Sequence, residues 1–387
     1  MSEIRYALYD DLKEIRNLWE YSFSDEESFV NYYFDKRYNP GCNLIAKETA
    51  LLASLQRKPY KINISKDSQN TAYVVGISVY PEHRGKKLTT KLLNKALEEA
   101  YNLGEKISLL MPIDTAIYRR YGYENCFSLY SFEVNLSDIE YKNNKSVNLE
   151  RITKMTDELA DLLIEIYLEK AKNWDIYLER DRNHYYTYFE EIKVEAGEIF
   201  LAKNNANEPI GYMVFYPNME PSKGYVRELF YLDSSALDSF MTLVASHKTQ
   251  LDSVTIQQPI DSQLMYYFGF NNKISVSLKP FMMARIVDVK YVLEKLAKDM
   301  ILDLSIKIND GILSQNNQVF HIKNGSVAIS DNKADAIMDI GTLTQLYMGT
   351  VSVSAAYDLG KIEAENINLA QLNRLFSYKI SYVNEYI

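Results

Sequence analysis

The stretch from Thr71 to Leu88, TAYVVGISVYPEHRGKKL, limits how this chain can fold more than any other. Up to Val79 it is β-branched, aromatic or small almost without a break, the pattern of a strand covered on both faces and set inside a sheet. Pro81 cannot donate to a ladder and ends the run. Leu88, Leu92, Leu93, Ala96, Leu97 and Ala100 then recur at helical spacing, with Lys91, Lys95, Glu98 and Glu99 facing outward. Strand, basic loop, helix is the order. A second strand is predicted at Ile107–Met111, stopped by Pro112, and Asp114 caps a short helix that Gly122 closes. Upstream, Leu12, Ile15, Leu18 and Trp19 define one face of an earlier helix.

Further along, the polar run Asn135–Asn148 breaks the apolar periodicity and marks a boundary. The stretch beyond it reads as a worn second copy of the first unit. A strand at Val226–Leu232 and a helix at Ser234–Lys248 repeat the earlier order, and Tyr266–Phe270 echoes Arg119–Tyr123. Asp233, Ser234 and Ser235 replace the basic loop, and Met265 falls where Tyr118 stands, so the second copy is expected to have lost its chemistry. From Met282 the pattern changes to an amphipathic helix with Val292, Leu293, Leu296 and Ala297, then strands near Leu302–Ile308, Gln318–Ile322 and Val327–Ile329, then helices. This third unit is α+β by pattern. The expected division is 1–140, 146–281 and 282–387.

Across 387 residues, 43 Lys plus Arg against 52 Asp plus Glu leave a net charge of −9, which disfavours a generic nucleic-acid binder and suits a cationic small substrate better. Cys42 and Cys126 have no partner at disulfide or zinc spacing, and His83, His184, His247 and His321 are scattered, so no metal is expected. Met1–Glu20 alternates charged and apolar residues without a signal-peptide core, and no apolar run approaches the ~20 residues of a membrane span. The expectation is a cytoplasmic protein with no membrane span and an uncleaved N-terminus.

The loop after Val79 concentrates positive charge. Arg84, Lys86, Lys87 and Lys91 against Glu82 make a local +3 at a helix N-terminus, where backbone amides already favour an anion. A polyphosphate ligand and a solvated charged turn both suit that charge. Here the sequence resembles the GNAT acetyltransferase superfamily, whose loop reads R/Q-x-x-G-x-G/A and holds the pyrophosphate of acetyl-CoA. Arg84 matches the first position, whereas Lys87 and Thr89 stand where glycines are usual. The resemblance implies acetyl-CoA as cosubstrate, bound by Ile77, Ser78, Val79, Arg84, Gly85, Lys86, Lys87, Leu88 and Thr89. Ile117–Tyr123 is similar to the family's Y-x-x-x-G-F element, which implies Tyr118 as the general acid that protonates the departing thiolate. With 32 tyrosines in the chain, residue type alone makes Tyr118 one more core aromatic; the spacing favours the acid. Gly76 permits a bulge that would turn the Ile77 amide towards a developing oxyanion, and it also suits a plain strand glycine admitting a neighbouring backbone.

The whole-chain plan resembles the Eis-like acetyltransferases: an active GNAT domain, a degenerate GNAT domain and a sterol-carrier-like α+β domain. That resemblance implies an N-acetyltransferase for primary amines, aminoglycoside-like, polyamine or lysine, working by direct ternary-complex transfer in a homo-hexamer built as a trimer of dimers. It also implies that the carboxylate of Ile387 enters the first domain's site as base or anchor. Asp25, Phe29, Tyr33 and Glu385 are the substrate-side candidates, although Ser24–Phe29 also reads as an ordinary helix start. A non-catalytic acyl-CoA or lipid carrier is the alternative, favoured by Lys87 and Thr89.

Overall fold

The apolar run Thr71–Val79 lies inside a 14-stranded sheet, in a computed structural model that describes residues 3–142, 144–269 and 273–386. The N-terminal unit supplies β1 (Glu3–Tyr6), β2 (Asn43–Lys47), β3 (Leu51–Ile64), β4 (Asp67–Val79), β5 (Ile107–Leu110) and β6 (Glu124–Asn135). Its helices are α1 (Leu12–Ser22), α2 (Glu27–Tyr32), α3 (Leu88–Asn102) and α4 (Thr115–Arg119). The second unit contains β7 (Val147–Ile152), α5 (Asp157–Ala171), β8 (Ile176–Leu178), α6 (Arg182–Val194), β9 (Glu198–Asn204) and β10 (Pro209–Glu220). It continues with β11 (Lys223–Tyr231), α7 (Ser234–Ala245), β12 (Ser253–Gln258), α8 (Leu264–Tyr267) and β13 (Ile274–Ile286). The duplication is visible in the pairing: β4 and β5 are parallel across α3, and β11 and β12 are parallel across α7.

The two units do not have separate sheets. The order runs β1-β2-β3-β4-β5-β13-β6-β12-β11-β10-β9-β7, so each half is completed by the other's last strand. Met283 of β13 faces Leu110 of β5, whereas Phe132 of β6 faces Ile256 of β12. The exchanged strands also pair with each other, from Ile274 opposite Val134 to Ala284 opposite Glu124. The divisions drawn at 140 and 281 from sequence therefore cut a continuous sheet. Polarity at 135–148 marks a solvent-facing connection, and hydrogen-bond pairing, which it cannot report, runs straight across.

The third unit comprises α9 (Val289–Ala297), β14 (Asp303–Asn309), β15 (Val319–Lys323), β16 (Ser326–Ile329), β17 (Ala336–Asp339), α10 (Ile340–Tyr347), α11 (Val353–Asp358), β18 (Ile362–Ala364) and α12 (Asn366–Leu375). Its five strands are ordered β16-β15-β14-β17-β18. One apolar cluster runs through all three units, from Ile107 and Phe127 through Tyr212 and Phe230 to Ile306 and Leu343. At the junction, the fully buried Arg285 donates from Nη2 to Asp310 (2.6 Å) and from Nε to the Tyr121 carbonyl (2.6 Å). Gly122 has φ +80°, and a Cβ there would lie 2.5 Å from Ile340 Cγ2, so the third unit buttresses the end of α4. Finally β19 (Ser381–Tyr382) leaves that unit and pairs in parallel with β8. No helix among the described residues is long and apolar enough to cross a membrane.

A fragment ending at residue 140 would lose β13 from between β5 and β6 and expose unpaired edges. We expect it to remain unfolded or to aggregate. A well-dispersed amide NMR spectrum from that fragment would contradict the interdependence of the two units.

Candidate active site

β4 and β5 pair from Thr71/Ile107 to Val74/Leu110 and then part, because β5 stops at Leu110 just before Pro112 while β4 continues to Val79. A wedge opens beside Val75–Val79. At its lip the pairing of β3 with β4 slips: Ser54 faces Ser78 and Gln56 faces Val75, leaving Gly76 and Ile77 opposite Leu55 alone. Such a bulge releases one residue from the ladder. Gly76 has φ +62°, and a Cβ there would meet Trp19 Cζ3 at 2.5 Å, so glycine is required both by conformation and by the indole packed against it. The second copy treats the same place differently. Three residues past its last parallel pair, Val226/Ile256, the Leu229 carbonyl accepts from Gln258 Nε2 at 3.1 Å, and that side chain bridges the gap.

The loop beyond β4 ends in a cradle. Gly85 has φ +78°, and a Cβ there would meet nothing within 4 Å, while Lys87 is left-handed at φ 58°, ψ 28°. Lys87 thus holds a conformation that glycine adopts freely, at a cost of about 1 kcal/mol. The first helical bond of α3 runs from the Lys91 amide to the Lys87 carbonyl (3.0 Å), so the amides of Leu88, Thr89 and Thr90 have no helical acceptor and point to open loop. Arg84, Lys86 and Lys87 are exposed around them while Leu88 is buried as an anchor. Amides, helix dipole and three cations together favour an anionic group here.

Tyr118 lies on α4, whose N-cap Asp114 accepts from the Ala116 amide at 2.8 Å. It belongs to the apolar cluster of Leu88, Leu92 and Leu110, against which Ile77 and Val79 pack. Burial raises its phenol above the usual value, so it is protonated at neutral pH. Its neighbours are occupied: Tyr121 is hydrogen-bonded to Thr90 (2.8 Å) and Tyr123 to Ser108 (2.7 Å).

On the other face of β3 a cavity of about 640 Å³ separates the N-terminal and second units. Gln56 and Lys58 of β3 form one wall, His184, Tyr188 and Glu191 of α6 another, and Arg227, Glu385 and Tyr386 close it. Through Gln56, which pairs with Val75, the cavity abuts the Gly76–Ile77 bulge. The last described residues are firmly held there. Tyr382 donates to Glu228 (2.7 Å), Asn384 to the Arg227 carbonyl (2.8 Å), and Arg180 bridges Glu228 and Glu385 at 2.9 Å each.

Of the substrate-side residues expected from sequence, only Glu385 lines this cavity. Asp25 accepts from the Trp19 indole (2.8 Å), Phe29 packs on Tyr33 with ring centroids 6.0 Å apart, and Tyr33 donates to Gln56 (2.7 Å). Tyr33 is buried behind the wall and Phe29 half-buried beside it, whereas Asp25 is exposed ahead of α2. Ile387 lies outside the described residues. Sequence reasoning missed β3 and α6 altogether; the clue to α6 was its density of Tyr, His and Glu at helical spacing from His184 to Glu191.

Similarity to known proteins agrees with this geometry. Residues 3–126 and 174–286 each match the acetyltransferase (GNAT) domain family, and residues 289–384 match the sterol carrier protein domain family. The chain is a tandem-GNAT acetyltransferase. No curated protein matches it significantly. Among solved structures, a probable N-acyltransferase from Enterococcus faecalis has TM-score 0.84 at 18% identity, covering 100% of both chains. A GCN5-related N-acetyltransferase from Anabaena variabilis has TM-score 0.80 at 21% identity over 98% of each chain. Eis1 from Mycobacterium abscessus has TM-score 0.78 at 16% identity over 100% of both. This acetyltransferase thus has the Eis-like arrangement of two GNAT domains and a sterol carrier domain.

Within the acetyltransferase's cavity, burial pushes the His184 imidazole down to about 4. Burial opposes ionisation of Glu385 too, yet Arg180, His184 and Arg227 hold its carboxyl below the usual range. Both groups take up protons in the unfolded chain before the folded one, His184 below its ordinary 6.5 and Glu385 below 4.5, so stability falls as pH falls. Between pH 7.5 and 5 the acetyltransferase is expected to lose roughly 2 kcal/mol on account of His184, and His184→Gln to flatten that slope. Urea midpoints at the two pH values measure it.

Proposed function

We propose that the chain is an acetyl-CoA-dependent N-acetyltransferase acting on a primary amine by direct transfer, with chemistry confined to the first GNAT domain. The observation that carries this reading is the wedge between β4 and β5, with its bulge at the lip and the phosphate cradle at its end. Acetyl-CoA supplies the activated acetyl group. The amides of Leu88–Thr90 with Arg84, Lys86 and Lys87 hold the diphosphate, and the free edge of Ile77, Ser78 and Val79 takes the pantetheine chain in the manner of an added strand. The Ile77 amide, turned out of the ladder, donates to the oxygen on which negative charge develops. Tyr118 gives its proton to the sulfur as the C–S bond breaks. The Ile387 carboxylate orients the amine and receives its proton through water.

A covalent acyl-enzyme is poorly served by the cysteines. Burial pushes the Cys126 thiol up to about 12 and raises that of Cys42 as well, so neither offers a thiolate at neutral pH. In the second GNAT domain the Gln258 bridge occupies the corresponding gap, which supports its degenerate role. A hexameric assembly in the cytoplasm accompanies this reading.

Tyr118→Phe is expected to lower kcat roughly 10²-fold with acetyl-CoA affinity unchanged, as befits a lost general acid. Deleting Ile387, or extending the chain past it, should lower kcat as well. Thiol release over an amine panel measures both. Unchanged kcat in both variants would remove these roles, and absence of acetyl-CoA binding by calorimetry would favour a carrier of other ligands.

A further inference from the structure

The cavity beside the bulge has an imbalance that the proposed transfer does not use. Its two buried carboxylates are occupied: Glu191 by Arg37 at 2.7 Å and Glu385 by Arg180 at 2.9 Å. Its donors are not. Arg227 is 3% exposed, yet its Nε and Nη2 have no hydrogen-bond partner among the described residues. Nη1 is engaged, at 3.4 Å from the Tyr216 hydroxyl, 3.5 Å from Glu191 and 3.7 Å from Glu195. Lys58 is 8% exposed, its ammonium lies 4.2 Å from the Tyr33 ring centroid, and no carboxylate is within 4.0 Å of it among the described residues. Gln56 Nε2 is buried and unpartnered too. All three residues line the same cavity.

Leaving buried donors empty is costly, most of all on a guanidinium. Nε and Nη2 form the side of the fork that binds both oxygens of a planar anion at once. The rings of Tyr386 and Tyr188, 4.3 and 4.9 Å from the guanidinium carbon, hold that fork in place. A polyamine would meet the Arg227 guanidinium here with both buried carboxylates, Glu191 and Glu385, already paired, and only half-buried Glu179 and exposed Asp181 without a cation among the described residues. The overall charge of −9 is thus no guide to this pocket.

We propose that the acceptor is an amine that also carries an anionic group, carboxylate or phosphate, and that Arg227, with Lys58 and Gln56, binds that anion while the amine lies towards the Gly76–Ile77 bulge. This rests on the acetyltransferase reading and narrows its substrate class. Burial, with Arg37 nearby, holds the Lys58 amine well below its ordinary pKa, so an arriving anion would also restore its charge.

The test compares amines that differ in one anionic group: L-lysine with cadaverine, L-phenylalanine with phenethylamine, and O-phosphoethanolamine with ethanolamine. Calorimetric binding to the full chain is measured with and without CoA, beside thiol release from acetyl-CoA. The anionic member of at least one pair is expected to bind about tenfold or more tightly, the pair that responds distinguishing carboxylate from phosphate. Arg227→Gln and Lys58→Met should each abolish the preference. Equal binding within every pair, or a preference that survives both substitutions, overturns the proposal. So does a preference that emerges only when Ile387 is deleted, because the chain's own carboxylate would then be the resident anion. If Arg227→Gln fails to fold, the wild-type pairs and Lys58→Met still decide. Selective binding without thiol release would instead leave the anion site standing and remove the transfer chemistry.

Discussion

Everything in this molecule depends on the exchange of β6 and β13. A GNAT sheet needs a strand beside β5, and in each half that strand arrives from the other half, so neither can satisfy its backbone without its partner. The exchange fixes the relative position of the two units through a hydrogen-bonded ladder instead of a flexible linker. A cavity between them can therefore be shaped as precisely as one inside a single domain. β13 passes the load onward: its Arg285 reaches Asp310 in the sterol carrier domain and the Tyr121 carbonyl at the end of α4. The helix carrying Tyr118 is held by a charge that cannot leave its partner without being stranded in the core.

Much of the cofactor half was legible in the sequence, because its signals are local. A run from Thr71 to Val79, a proline, a cluster of cations and a helical stripe lie within thirty-odd residues, and the structure places β4 and α3 there. Of the cavity beside β3, Glu385 alone was legible, because β3, α6 and Arg227 are distant in sequence and brought together by the exchanged sheet. Nothing in the neighbourhood of Arg227 distinguishes it from an ordinary strand residue. Asp25 and Phe29 lie in a stretch that is local and conspicuous in sequence, and there Asp25 accepts from the Trp19 indole while Phe29 packs on Tyr33.

Charge illustrates the same separation of scales. The net −9 describes a surface, and surface charge is screened within about a Debye length. A buried pocket is governed by which few groups have partners. Here Arg37 pairs with Glu191 and Arg180 with Glu228 and Glu385, so among the described residues the Nε and Nη2 donors of Arg227 stand out as charged and unpartnered.

The strand at Ser381–Tyr382 has a bearing on the order in which the molecule comes together. Glu385 and Tyr386, anchored by Tyr382 and Asn384, complete a wall whose other parts lie up to three hundred positions earlier, as the approach of Tyr73 to the Glu385 carbonyl, 312 positions away, makes plain. The pocket is therefore complete only once this strip has docked. An intermediate with both GNAT sheets formed but this strip undocked would be nearly native in its secondary structure and have an open trench in place of an enclosed chamber. Proteolytic nicking that frees the strip would silence the enzyme while leaving most of its architecture standing.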